Sequence, residues 1–430
     1  MASTRRSLFF AASAIVVVFF AIAAGYVVLR PIAPPLTPAQ QAAIAAEKAA
    51  HALLVKETSA VAKSLPLVNV VLPKRRGMPA PVAQTALFRH GMAAHEVWNF
   101  LPYYALGGVT QAELTSSSAV IFSGLCVASN GSIDASAGEC AGDAAAFNSY
   151  AFSSFVASAH QLGTHVLLSL NAFSDATIGP LVARAASSAA ALSATVLPLV
   201  RADGLDGVNI DIEGSNPKQA PAFAKFVRDF AHDMRVGDPA IELVLDSYAA
   251  SASGHPNFFD VAALARSVDR IFAEAYQMDT PSHASANSPI ASPTLGFSVV
   301  QTILQYEKVM PADKLVVGLP FYGLDFATKS AKAGSDATAP YPGTITYDDI
   351  VAAGHEALWD TSSMTPYTVF RTGGGWHQLW YDDSVSIALK VALAAHLRTA
   401  GVGAWALGME TNSPQLLDAL DGPIPAKKLR

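Results

Sequence analysis

An α/β chain closed as a (β/α)8 barrel is the fold that the sequence predicts. From about His90 onward, short apolar runs alternate with longer Ala-rich amphipathic segments, and there are eight such runs. Alternating strand and helix argues for a parallel sheet, and eight repeats suit a TIM barrel. Periodicity alone leaves an open doubly wound sheet as the competing arrangement.

The runs are Glu96–Leu101, Ala119–Phe122, His165–Leu170, Gly207–Ile212, Ile241–Leu245, Arg270–Ala275, Leu315–Leu319 and Val402–Leu407. Segments of helical character, such as Phe223–Met234 and Ser386–Leu397, lie between most of them. The interval from the seventh run to the eighth is too long for a structureless loop. It contains strand-like Pro366–Arg371 and His377–Tyr381. A small α+β insertion between strands 7 and 8, at about 325–381, is therefore expected, with Ser386–Leu397 as the helix preceding the last strand.

Ahead of the barrel, Arg5 and Arg6 precede an uncharged run from Ser7 to Leu29, closed by Arg30. A membrane-spanning helix needs ~20 apolar residues, whereas the apolar core of a cleaved signal peptide has about 7–15. Residues 1–30 are therefore expected to form an uncleaved transmembrane anchor. Ala21, Ala23 and Ala24 keep cleavage, and hence secretion, as the alternative. In both cases the positive-inside rule exports the rest of the chain to the periplasm or cell surface. Pro31, Pro34, Pro35 and Pro38 stop the helix. Residues 31–85 read as stalk and linker, with a basic trio Lys74-Arg75-Arg76, and 86–424 as the barrel domain.

The 430 residues are 51% hydrophobic and carry a net charge of −6. No basic stripe or base-stacking motif occurs, so nucleic acid is not an expected partner. HExxH, Walker-type and dinucleotide glycine motifs are absent, so neither a metal nor an organic cofactor is expected. The two cysteines, Cys126 and Cys140, sit in a Gly/Ser/Ala-rich stretch. With no CxxC and no nearby His cluster, a structural disulfide is favoured over a metal or redox pair.

The fourth run carries the chemistry. In Asp206-Gly207-Val208-Asn209-Ile210-Asp211-Ile212-Glu213 the aliphatic residues alternate with Asn209, Asp211 and Glu213. Side chains alternate across a strand, so the aliphatic set packs on helices and the polar set points into the barrel. Buried carboxylates two residues apart repel, and one of them holds a proton to higher pH. A calcium-binding acidic loop is the competing reading, and the regular alternation weighs against it. Barrel enzymes keep their chemistry at the C-terminal strand ends, where these groups fall.

This stretch resembles the signature Asp-Gly-x-Asp-x-Asp-x-Glu of glycoside hydrolase family 18, the chitinase-like family, with Asn209 in place of the middle Asp. His95-Glu-Val-Trp-Asn-Phe-Leu-Pro-Tyr-Tyr104 is similar to the family's first strand, and Lys314-Leu-Val-Val-Gly-Leu-Pro-Phe-Tyr-Gly323 to its seventh. Trp380-Tyr-Asp-Asp-Ser384, with Ile387 and Lys390, resembles the approach to the eighth, and Gly403-Ala-Trp405-Ala-Leu-Gly408 the eighth itself. The resemblance covers roughly residues 90–420, in the family's order, and is nearest to the bacterial branch that acts on cell walls or chitin-like glycans.

The resemblance implies a retaining hydrolase of β-linked N-acetylhexosamine glycans, chitin-like or peptidoglycan. Glu213 would be the acid, and Asp211 would orient the substrate acetamide that serves as nucleophile. Tyr276 would bind the acetamide oxygen, and Trp405 would be the aromatic floor under the sugar. Asn209, Glu274, Gln277, Tyr322 and Trp98 complete the expected substrate-binding set, with Trp376, Tyr103 and Asp246 as weaker candidates.

Three departures stand out. Gln277 replaces a common Asp, Glu274 a common Met, and Ser169-Leu170-Asn171-Ala172 the usual Ser-x-Gly-Gly. The changes at Asn209, Gln277 and Asn171 support an alternative, a non-catalytic chitinase-like lectin that binds glycan at the cell surface.

Overall fold

The computed structural model describes residues 95–136, 140–280, 282–292, 297–340 and 342–422. The expected anchor, stalk and linker lie outside the described residues. The barrel strands are β1 (Glu96–Leu101), β2 (Ala119–Cys126), β3 (His165–Ala172), β4 (Gly207–Ile212), β5 (Glu242–Tyr248), β6 (Arg270–Glu274) and β7 (Leu315–Pro320). Then come the insertion strands β8 (Tyr322–Thr328), β9 (Gly343–Thr346), β10 (Leu358–Asp360), β11 (Thr365–Thr372) and β12 (Gly375–Trp380), and finally β13 (Gly401–Trp405).

Seven strands and β13 form a closed barrel in the order β1-β13-β7-β6-β5-β4-β3-β2. Parallel pairing of β1 with β13, Trp98 opposite Gly403, closes it and rules out the open sheet. The fifth strand runs to Tyr248, three residues past the expected end, because Asp246 and Ser247 are buried polar continuations of it. The eighth covers Gly401–Trp405 rather than Val402–Leu407.

Helices cover the barrel through regular apolar stripes. Ala220–Gly237 buries Phe223, Phe226, Val227, Phe230, Ala231 and Met234, the three-and-four spacing of one helix face. Ala185–Asp203 is, among the described residues, long and apolar enough to cross a membrane. It instead buries Ala189, Leu192, Val196 and Val200 in the barrel's outer core and stops at Gly204, whose φ of 67° suits glycine. The helix before β13 spans Ser384–His396. It starts in a capping box in which the Asp383 carboxylate accepts from the Val385 and Ser386 N–H groups.

The barrel interior is layered. At the N-terminal end Arg270 makes a two-pronged ion pair with Glu96, at 2.8 and 2.7 Å. Above it lies an apolar plug of Trp98, Phe100, Ile121, Leu167, Val244, Phe272 and Val316. The Phe272 ring fits because Gly318 and Gly403 face it without side chains. A Cβ at Gly403 would fall on the Trp98 carbonyl and 2.6 Å from Phe272 Cε2. Gly403→Ala should therefore destabilise the fold by about 3 kcal/mol, read as a lower urea midpoint with unchanged m-value.

Between β7 and β13 the chain builds a second, five-stranded sheet in the order β10-β11-β12-β8-β9, with the helix Tyr347–Ala353 following β9. The strand-like segments expected there correspond to β11 and β12. The insertion is tied to the following helix by a fully buried ion pair between Lys390 and Asp382. Cys126 and Cys140 form a disulfide, 14 residues apart, that links the end of β2 to the start of helix Ala141–Phe147.

Candidate active site

The polar layer above the plug is assembled from four neighbouring strands. β4 contributes Asn209 and Asp211, with Glu213 just beyond its end; β5 contributes Asp246 and Tyr248. β3 supplies Ser169 and Asn171, and β6 supplies Glu274, followed by Tyr276. Register explains the grouping, since Ser169 lies opposite Asn209, Asn171 opposite Asp211, and Tyr248 opposite Glu274.

Asp211 is 6% exposed and hydrogen-bonds Glu213, which is half-buried at the mouth of the barrel. Burial holds the Asp211 carboxyl well above the usual carboxylate range, and the nearby negative groups Glu213, Asp246 and Glu274 raise it further. The Asp211 carboxyl therefore keeps its proton to higher pH than a free aspartate does. Asp246, on the next strand, is also raised by burial, opposed by a hydrogen bond from Asn209 and reinforced by Glu213.

Tyr248 donates its hydroxyl to Glu213 Oε2 at 2.9 Å. Burial keeps that phenol neutral, with Glu213 and Glu274 adding to the effect. Sequence reasoning missed it because the fifth run was ended at Leu245. Its signal was parity, since Val244, Asp246 and Tyr248 lie two apart on one face.

Tyr276 is half-buried, and burial followed by Glu274 keeps its phenol neutral. Tyr322 is buried edge-on against it, with ring centroids 6.1 Å apart. Trp405, partly exposed at the end of β13 and joined to Ala406 by a cis peptide bond, lies 5.3 Å from Phe100. It bridges the barrel plug to a cluster of Tyr322, Leu324, Phe326 and Trp380 from the insertion. The insertion therefore walls the side of the site that holds Tyr276 and Trp405. Gln277 is exposed at φ 54°, a backbone conformation that costs a non-glycine residue roughly 1–2 kcal/mol. Its N–H donates to Asn287 Oδ1 at 2.7 Å, which holds the turn.

Two expected contact residues are corrected. Trp98 is fully buried in the plug, its Nε1 donating to Glu96 Oε2 at 3.1 Å, so it offers no face to a sugar. Asn209 is also fully buried and supports the site from beneath instead of binding substrate. Of the weaker candidates, Trp376 lies in the insertion beneath the Arg371 guanidinium, and Tyr103 is exposed after β1, edge-on to Tyr104.

Asp211, Glu213 and Glu274 each place a carboxylate oxygen within 4.8 Å of the others, close enough for like charges there to repel strongly.

The sequence model named Glycosyl hydrolases family 18 matches residues 100–410. The chain belongs to glycoside hydrolase family 18. Among relatives of this family 18 chain, the di-N-acetylchitobiase of Mus musculus is 25% identical over 235 residues, which are 48% of this chain and 62% of the mouse protein. The chain thus spans less than two thirds of that relative's length. Among solved structures, the Bacillus cereus spore cortex-lytic enzyme SleL superposes with a TM-score of 0.66 at 18% identity, covering 82% of this chain and 79% of SleL. Human YKL-39, described as a pseudo-chitinase with retained chitooligosaccharide binding, gives 0.65 at 18% identity, covering 76% and 99%. At these identities the likeness shows the fold, a family 18 chitinase-like barrel.

Proposed function

We propose that this chain is a retaining glycoside hydrolase that cleaves β-linked N-acetylhexosamine glycans, chitin-like or peptidoglycan, with the substrate's acetamide as nucleophile. The observation that carries this reading is the hydrogen-bonded carboxyl pair Asp211–Glu213 at the barrel mouth. The resting proton lies on Asp211. When the acetamide N–H of a bound sugar donates to Asp211, that oxygen favours its anionic form, and the proton passes along the existing hydrogen bond to Glu213. Glu213 then protonates the glycosidic oxygen as the C–O bond breaks. The acetamide oxygen attacks the anomeric carbon from the opposite face and closes an oxazolinium ring. Tyr276 hydrogen-bonds that oxygen, and Trp405 stacks beneath the apolar face of the sugar. Water, deprotonated by Glu213, opens the ring and restores the original anomer.

The departures at Asn209 and Gln277 favour a second reading, a glycan-binding lectin. Incubation with chitooligosaccharides and with purified peptidoglycan separates the two, with products followed by mass and anomer. Shorter oligomers released first as the β-anomer support hydrolysis. Saturable binding without product supports the lectin.

The run Ser7–Leu29 is proposed to anchor the domain outside the cytoplasm. The full chain should then stay in the membrane fraction after alkaline carbonate washing, and a chain lacking residues 1–30 should not. Release of the full chain would count against an anchor.

A further inference from the structure

Asn209 stands where the family signature has Asp, and an amide cannot hold a proton for Asp211. The structure shows what replaces it. Asn209 Nδ2 donates to Asp246 Oδ2 at 2.7 Å and to Ser169 Oγ at 3.2 Å. Ser169 Oγ in turn donates to Asn171 Oδ1 at 2.6 Å. Both hydrogens of the amide are thereby used, and Oδ1 is its one remaining group, a buried acceptor without a protein donor. Asp246 is 2% exposed, and its Oδ1 likewise has no partner. A buried carboxyl with one oxygen left unpaired carries a desolvation cost that packing alone does not offset.

We propose that Asp246 is a positioning residue for the Asp211–Glu213 pair, supplying from β5 the acidic group that the family signature carries on β4. It acts in two ways. It holds the Asn209 amide, two residues before Asp211 on the same strand face, by the 2.7 Å bond from Nδ2, and so fixes the polar floor beneath the pair. Asp246 also adds a buried acid whose negative charge, when present, disfavours ionisation of the pair. The other groups facing the pair are Ser169 and Asn171 from β3, Tyr248 from β5, and Glu274 and Tyr276 from β6. None of these contacts the Asn209 Nδ2 except Ser169. The role deepens the hydrolase reading and rests on it for its catalytic meaning, while the effect on the pair's titration does not.

The test uses the near-isosteric Asp246→Asn, the converse Asn209→Asp, and the double variant that moves the acid back to β4. Titration of the Asp carboxyl 13C signals reads the pair without turnover. Asp246→Asn should lower the Asp211 midpoint by about one pH unit, a tenfold weaker hold on the proton. The pair is active while it holds its proton, so the falling limb of the pH–rate profile should move to lower pH by the same amount, with kcat reduced about tenfold and KM little changed. Asn209→Asp, which crowds in a further carboxyl, should move the midpoint up. The double variant should return both midpoint and kcat to within about threefold of the parent values. An unmoved Asp211 midpoint in Asp246→Asn, or in Asn209→Asp should the first fail to fold, overturns the proposal. So does a double variant no better than its parts. If the parent chain turns over no substrate, the hydrolase reading fails, and the 13C midpoints still decide the role of Asp246.

Discussion

Replacing Glu213 with Gln should abolish turnover of chitooligosaccharides to about one part in a thousand, the upper-middle range of what a positioned general acid contributes. The amide keeps the size and the hydrogen bond from Tyr248, now to the amide oxygen, so the barrel should fold and bind substrate within a few-fold of the parent affinity. The loss should depend on the leaving group. An alkoxide sugar must be protonated as it departs, whereas a nitrophenolate leaves unaided, so a nitrophenyl glycoside should recover at least tenfold of the deficit. Kinetics on the two substrates side by side give both numbers. A variant with near-normal turnover on natural oligomers would remove Glu213 from the chemistry.

Asp211→Asn should cost about 10²–10³-fold in kcat, the scale of removing one preorganised polar group at the reacting centre. Two losses combine. The proton shared with Glu213 has no second carboxyl to rest on, and the acetamide N–H loses its charged acceptor, so the nucleophile is no longer held in line. The pH profile should also lose the form set by coupled titration of the pair. Affinity for a neutral oligomer should change much less, because Trp405 and Tyr276 remain. Isothermal titration and steady-state rates on the same preparation separate the two effects.

The fold was largely legible in the sequence because its determinants are local. Eight apolar runs and the stripe Phe223–Met234 carry their own periodicity, and β4 shows its two faces in eight residues. The strand that bears the candidate site was legible for a related reason, since alternation sends Asn209, Asp211 and Glu213 to the same side. Alternation gives the face but not the depth. Trp98 and Asn209 both point inward, yet each lies too far down the barrel to meet a sugar, which depends on strand stagger and on how full the interior is. Tyr248 was obscured by the opposite error, in which the polar Asp246 and Ser247 ended the fifth strand on paper although the barrel supplies partners that let it continue. The insertion was visible as an interval that no loop would fill, but its sheet order is set by long-range pairing and leaves no trace in local spacing.

The central claim is that a proton from Glu213 and an acetamide from the substrate together break the glycosidic bond. The most direct measurement compares two aryl glycosides with the same linkage and leaving group, one built on N-acetylglucosamine and one on glucose, which lacks the acetamide. The account predicts release of aryl alcohol from the first, with the sugar product appearing as the β-anomer by proton NMR, and none above background from the second. Equal rates on both, or an α-anomer from the first, would contradict it.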